Sequence, residues 1–361
     1  MELKHLKISE LEEFVQSNEF LKGDLIPISP VRALSQIKNP KAKSDDVVLT
    51  IAYDKNLSIL GYIGALPDKI ENVRCAWNSC WWVKNGAPAE VSMKLLFSFI
   101  SNWDKKILLS EMTPLTNSII EKLGFCKHKT TTGFRGYTRF TLATVLPRKK
   151  PRLSKQKFAL ILTDSLLNVL VSTVNIFRCK SSVKGVDIKE IELTEEYDSF
   201  ILKHSTNLVT KRKSIDFNWI QQNSWLVHDT DKNPLVSKKY FFSYAVNRHK
   251  SQWVSFTEKE ELKALVYYAI KDNELKLPYV FCEESSETFI GDYFYSMLLK
   301  NNSLATITTF HPKLSAYLKN NKRFIFRTLL PKYSAISNEL LNETKLIEPK
   351  FQMGDGDCVF T

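Results

Sequence analysis

The sequence holds no GxSxG elbow, no glycine-rich P-loop and no HExxH pair, so the usual signatures of a serine hydrolase, a nucleotidase and a zinc protease are missing. Its six cysteines, Cys75, Cys80, Cys126, Cys179, Cys282 and Cys358, include no CxxC pair, and only Cys126 has a histidine close by, His128. That spacing argues against a zinc site, and no metal ligand set is expected. Several of the thiols lie in apolar runs such as residues 280–282, where cysteine behaves as a small hydrophobe. No disulfide partner is expected, and a reducing compartment is. Residues 1–7 contain no apolar h-region, so no secretory signal is read and the cytoplasm is the expected location.

What is present is the composition of a folded chain. Hydrophobic residues make up 43% and charged residues 25% of 361 positions, far from the signature of disorder. At roughly 100 to 200 residues per domain, this length points to two domains. The 51 Lys and Arg exceed the 39 Asp and Glu, giving a net charge of +12. More than half of that excess sits in residues 146–190, which carry ten basic and three acidic residues. The domain-sized stretches on either side are nearly balanced, a distribution that argues against a nucleic-acid reader with a basic face.

The first third alternates compact strands and helices. Ser9 followed by Glu12 resembles a capping box ahead of an amphipathic helix. Residues 46–53 and 57–66 read as a hairpin, and 73–83 as a third strand containing Trp77, Trp81 and Trp82. A turn of Lys84, Asn85, Gly86, Ala87, Pro88 and Ala89 leads into a helix over 90–103, with Val91, Leu95, Phe99 and Trp103 at helical spacing. A short strand at 107–109 and a helix over 117–123 follow, the helix closed by Gly124. Residues 125–128 and 137–145 read as strands joined by a turn at 133–136.

Residues 146–186 form a basic linker and a connector helix. Residues 158–177 are largely apolar but interrupted by Asp164, Asn168 and Asn175. The run is nearly long enough to span a membrane, yet a central Asp opposes insertion by about 2.5 to 3.5 kcal/mol. Two readings stay open, a packed interdomain helix and a helix lying on an anionic membrane surface, the latter giving peripheral membrane contact through 148–177. From residue 187 the element order repeats, with a strand, a helix over 195–205, paired strands at 252–256 and 264–271, a strand at 277–282, a helix at 285–299, a strand at 304–310, a helix at 312–320, a strand at 323–329 and a last strand at 358–361. This order predicts an internal duplication.

Hairpin, strand, turn, helix, strand, helix, strand is the order of the GNAT superfamily of acyl-CoA-dependent acyltransferases, and the sequence resembles that family at specific residues. Lys84, Ala87 and Ala89 partly match its basic-x-x-Gly-x-Gly/Ala turn, whose backbone N–H groups wrap the cofactor pyrophosphate at a helix N-terminus. Residues 117–125, from Asn117 to Leu123, Gly124 and Phe125, are similar to its Asn to Leu-Gly-Phe run. The resemblance implies an α+β fold with a mixed sheet, in two GNAT-like domains at 1–145 and 187–361. It implies acetyl-CoA or another acyl-CoA as co-substrate, held by Val83, Lys84, Asn85, Gly86, Ala87, Ala89 and Asn117. Asn117 has the alternative of an ordinary helix N-cap. Ile120 stands where many members carry the tyrosine that protonates the thiolate, while in the second half Tyr317 matches that position. Glu283 ends a strand where some members carry a base, and Glu111 follows the short strand after the central helix. Tyr317, Glu283 and Glu111 are therefore the catalytic candidates. The turn at 283–287 is acidic and lacks glycine, which opposes a pyrophosphate.

The expected activity is acyl-CoA-dependent N-acyl transfer, acetyl in the first instance, to an amine on a small molecule or sugar. One alternative resembles the Fem-type transferases, which use two GNAT-like domains and charged tRNA. The other is a pair of degenerate GNAT-like domains acting as a binding module, which a groove filled by Trp77 or Trp81 would favour. His311 before Pro312 reads as a helix cap or loop residue, and Gly354, Asp355, Gly356 and Asp357 as a turn rather than half a calcium loop.

Overall fold

The computed structural model describes residues 1–178, 185–320, 324–344 and 346–360. Cys179 and the residue closing the expected last strand, Thr361, lie outside them. In chain order the first half runs β1 (Glu2–Lys7), α1 (Leu11–Gln16), α2 (Asn18–Lys22), α3 (Pro30–Ile37), β2 (Val47–Tyr53), β3 (Ile59–Ile70), β4 (Val73–Val83), α4 (Ala89–Asn102), β5 (Ile107–Met112), α5 (Pro114–Leu123), β6 (Cys126–Tyr137), α6 (Leu142–Lys149) and α7 (Lys157–Arg178). The second half runs β7 (Val186–Ile191), α8 (Asp198–Lys203), α9 (Ser214–Gln222), β8 (Val227–His228), α10 (Pro234–Lys239), β9 (Ala245–Val246), β10 (His249–Glu258), β11 (Glu261–Lys271), β12 (Glu274–Cys282), α11 (Glu287–Lys300), β13 (Thr306–Thr309), α12 (Pro312–Asn320), β14 (Phe326–Ser337) and α13 (Asn338–Thr344).

These elements form two compact units, and neither is a continuous stretch. Unit 1 comprises Met1–Thr131, Leu193–His249 and Lys332–Thr361, and unit 2 comprises Thr132–Glu192 and Lys250–Pro331. In unit 1, β1, β2, β3 and β4 pair antiparallel in sequence order, β4 pairs parallel with β5, and β5 pairs antiparallel with the end of β14. In unit 2, β7, β10, β11 and β12 follow in turn, β12 pairs parallel with β13, and β13 pairs antiparallel with the end of β6. Each unit thus completes its sheet with a strand from the other half of the chain. This differs from the contiguous division at 145 and 187, because β6 and β14 each begin in one unit and end in the other.

Alternation along the strands builds the cores. In β3, Tyr62 faces a cluster with Leu6, Phe14 and Ile28, while Ile63 and Ala65 face α4 through Leu95 and Phe99. In unit 2, Phe256, Val266 and Leu277 pack against Ile290, Phe294 and Leu298 of α11. The expected turn at 133–136 is instead continuous strand. Its glycines serve close packing, since a Cβ on Gly133 or Gly136 would come within 2.6 Å of the Phe310 or Phe324 ring. Residues 138–145, expected as strand, turn into α6, and residues 356–360 form a short 3-10 turn rather than the start of a strand.

Candidate active site

The sheet of unit 1 opens where β4 and β5 run side by side. Their parallel pairing is confined to Ala76 with Ile107 and Trp77 with Leu108, after which the strands part. Backbone irregularity marks both strands beyond that point. Cys80 has φ of +52° and Glu111 of +51°, left-handed conformations rare outside glycine, and β3 shifts register opposite Cys80.

Residues 356–360 occupy the opening. Asp357 accepts a hydrogen bond from the Ser79 hydroxyl at 2.7 Å and lies 4.0 Å from the Cys80 thiol, and Cys358 lies 3.7 Å from the Ser110 hydroxyl. Gly356 is required there: its φ is +76°, and a Cβ would stand 2.5 Å from Ser110 Oγ and 3.3 Å from the Trp77 ring. Burial raises the Asp357 carboxyl above its ordinary value against the opposing pull of Ser79 and Arg32. Arg32 itself is fully buried, donating to Ser79 Oγ at 3.1 Å and stacking its guanidinium 4.7 Å from the Trp225 ring. The Tyr240 hydroxyl lies 3.7 Å from Cys80. Sequence patterning could not single out Asp357, Ser79, Arg32 or Tyr240, because they come from four separated segments; the one local signal was the pair of glycines flanking Asp355.

A buried ionic cluster fixes the same segment from behind. Asp68 pairs with Lys41 at 2.8 Å and Arg212 at 3.3 Å and accepts from Trp77 Nε1 at 2.9 Å. Asp355 accepts from Thr210 Oγ1 at 2.8 Å and from the backbone N–H of Gln352 at 2.7 Å. Trp77 is therefore a fully buried core residue, packed edge-on against Phe351.

Of the predicted cofactor residues, Val83 to Ala89 close β4 and lead into α4, while Asn117 lies in α5, after β5. Val83 ends β4 and packs against the α4 core, and the Lys84 N–H is anchored on the Leu60 carbonyl at 2.8 Å. Lys84, Asn85 and Gly86 are exposed. Gly86 has φ of +82° with nothing within 4 Å of its absent Cβ. The Ala87 N–H bonds the Lys84 carbonyl and the Val91 N–H the Pro88 carbonyl, which leaves the first amides of α4, at Ala89 and Glu90, at the open end. Glu90 is ion-paired with Lys94.

Asn117 lies within α5 and does not cap it. Thr113 is the cap, accepting from the Thr116 N–H at 3.1 Å, and Asn117 Oδ1 instead meets His128 Nδ1 at 3.0 Å. Ile120 is fully buried in the core. Glu111 is exposed on β5. Tyr317 and Glu283 belong to unit 2, so the three catalytic candidates do not share a unit. The Tyr317 hydroxyl donates to Asp292 at 2.8 Å while its ring covers Gly291, and the Glu283 N–H bonds the Lys263 carbonyl. His311 caps α12 by accepting the Leu314 N–H at 3.4 Å. Among the described residues no group of three or more His, Cys, Asp or Glu is placed to hold a metal, and five cysteines are free.

No protein-family model matches the sequence, and no curated protein matches it either. Solved structures do. The chain is similar to a probable N-acyltransferase from Enterococcus faecalis V583, at 11% identity over 96% of this chain and 74% of that one, with a TM-score of 0.50. It is equally similar to Saccharomyces cerevisiae N-myristoyltransferase with bound myristoyl-CoA, at 10% identity over 92% and 78%, TM-score 0.50. A tandem GNAT protein from the clavulanic acid biosynthesis pathway matches 93% of this chain and 98% of its own at 8% identity, TM-score 0.49. The two likenesses at a TM-score of 0.50, together with the repeated strand order, show that the chain has the α+β fold of these acyltransferase structures, its strand order built twice from interleaved parts of one sequence.

Proposed function

We propose that the chain is an acyl-CoA-dependent N-acyltransferase with its reaction centre in unit 1. The parting of β4 and β5 carries this reading: β4 runs on from it into the open N-terminus of α4, and Asp357, a carboxylate whose pKa burial raises, is held on β4 by Ser79. The residues fit the phosphate end of an acyl-CoA: Lys84 is exposed, Gly86 leaves open space, and the exposed residues Ala89 and Glu90 carry the first amides of α4, which have no carbonyl of their own helix to bond. When bound, acyl-CoA supplies an acyl carbonyl activated as a thioester.

This chain's own residues do the rest. Ser79 orients Asp357 through their hydrogen bond, and burial makes the Asp357 carboxylate a stronger base than a solvated one. Asp357 thereby takes the proton from the acceptor amine, in place of the exposed Glu111; the amide C–N bond forms as the thioester C–S bond breaks, and the thiolate that leaves takes its proton from solvent, since Ile120 has none to give. The acceptor is an amine on a small molecule or sugar, and acetyl is the acyl group to be tried first.

One observation favours a second reading, a non-catalytic binding module: residues 356–360 fill the opening themselves, and Ile120 has no proton to give. A thermal-shift titration with acetyl-CoA, myristoyl-CoA, CoA and inorganic phosphate separates the two. At about 100 times its Kd a ligand stabilises by about 2.7 kcal/mol. A saturable shift with the CoA species and not with phosphate, lost in Ala87→Glu, supports the acyltransferase. No shift at millimolar ligand removes it in favour of the binding module.

A further inference from the structure

The helix α7 is built inside out. Its protein-facing positions, 160, 164, 167, 168, 171, 172 and 175, recur at helical spacing and include Asp164 and both asparagines, the polar side chains hardest to leave unpaired, with Ser172 beside them. Asp164 accepts the backbone N–H groups of Leu142 and Ala143 at 2.8 and 2.9 Å, Asn168 exchanges hydrogen bonds with the Phe140 N–H and carbonyl, and Ser172 accepts from Arg139 at 2.8 Å. The side turned to solvent is the apolar one: Phe158 is 75% exposed, Leu166 71%, Leu170 67% and Val169 66%. A surface helix of a protein surrounded only by water has the opposite pattern.

Two further observations say what covers this face. The outward hydroxyls of Thr163, Ser165 and Thr173 are each hydrogen-bonded to the carbonyl four residues earlier, so the face presents almost no unsatisfied polar group. Immediately before it, residues 148–157 carry six basic residues and no acidic one, among them Lys149, Lys150 and Arg152. An apolar face beside a cationic flank is complementary to a bilayer with anionic headgroups.

We propose that α7 and its basic flank dock unit 2 onto the surface of an anionic membrane. The helix is long and apolar enough to cross one. Its hydrogen bonds to residues 139–143, however, hold the inward face against the protein and set α7 parallel to the lipid surface with the outward face immersed.

Co-sedimentation of the full chain with vesicles tests this, using phosphatidylcholine alone and with about one third phosphatidylserine, at low and high salt. Binding is expected to the anionic vesicles and to weaken with salt. Leu166→Glu with Leu170→Glu should reduce it at least tenfold. Lys149→Glu with Lys150→Glu and Arg152→Glu should reduce it by about tenfold or more. Circular dichroism and melting of both variants show whether they remain folded, which is expected because every substituted side chain faces solvent or lies in the flank. Equal binding of the parent to neutral vesicles, or no binding to either, overturns the proposal. So does a concentration-dependent dimer in sedimentation velocity that Leu166→Glu with Leu170→Glu abolishes while vesicle binding persists, since α7 would then be covered by a second copy.

Discussion

Asp68 shows what a single residue does in this chain. Burial is the largest influence on its carboxyl and raises it, but the charges of Lys41 and Arg212 with their hydrogen bonds outweigh burial and hold it well below the ordinary value of 3.8. A carboxyl depressed by folding gives stability that is fully present above that ordinary value and is lost as pH falls through the folded one. Asp68→Asn should therefore destabilise unit 1 by about 1.5 to 3 kcal/mol at pH 7, since it removes the nearest carboxylate from two buried cations and leaves Lys41 with Asp216 at 3.5 Å and Arg212 with Asp355 at 3.9 Å. Thermal melts of parent and variant should converge as the pH drops below 4. Asp357 has the opposite sign: Asp357→Asn should abolish acyl transfer while leaving the melting temperature at pH 7 unchanged or higher, measured by a CoA-thiol release assay beside a melt. Of these residues the sequence showed little. Trp77 was legible as part of the strand 73–83, whereas nothing near Asp68 in the chain marks it, because its partners Lys41 and Arg212 are distant in sequence.

At the scale of elements, the turn over residues 84–89 was legible because its signals are local: a proline at the helix boundary, which the structure places at the N-cap, an acidic residue after it and a regular apolar face in α4. The 3-10 turn at 356–360 was not, since its conformation is set by Ser79, Ser110 and Trp77 rather than by its own propensities. Gly356→Ala should cost about 1 to 3 kcal/mol, through both the left-handed φ and the collision with Ser110, and a denaturant melt reads it directly. In unit 2, burial lowers His311 to about 4 from an ordinary 6.5. The folded state holds it neutral, so the stability it contributes above pH 6.5 declines as pH falls from 6.5 towards 4. His311→Asn, which retains a side chain able to cap α12, should flatten the fall in melting temperature over that interval.

For the whole molecule, the interleaving of the two units has a direct consequence. A fragment of residues 1–145 lacks residues 193–249 and 332–361, which supply unit 1 with Val236, Tyr240 and the β14 strand beside β5. It should show no cooperative unfolding transition, whereas the full chain should; circular dichroism in a urea titration checks this. The sequence by itself determined the order of strands and helices over residues 46–123, its recurrence over 252–320 and the positive connector, because periodicity, turn chemistry and charge act over a few neighbouring residues. Only the tertiary structure decided which half supplies the last strand of each sheet, which carboxylate enters the opening between β4 and β5, and that α7 turns its polar face inward. Each of those depends on contacts between residues far apart in the chain, where burial and pairing outweigh local preference.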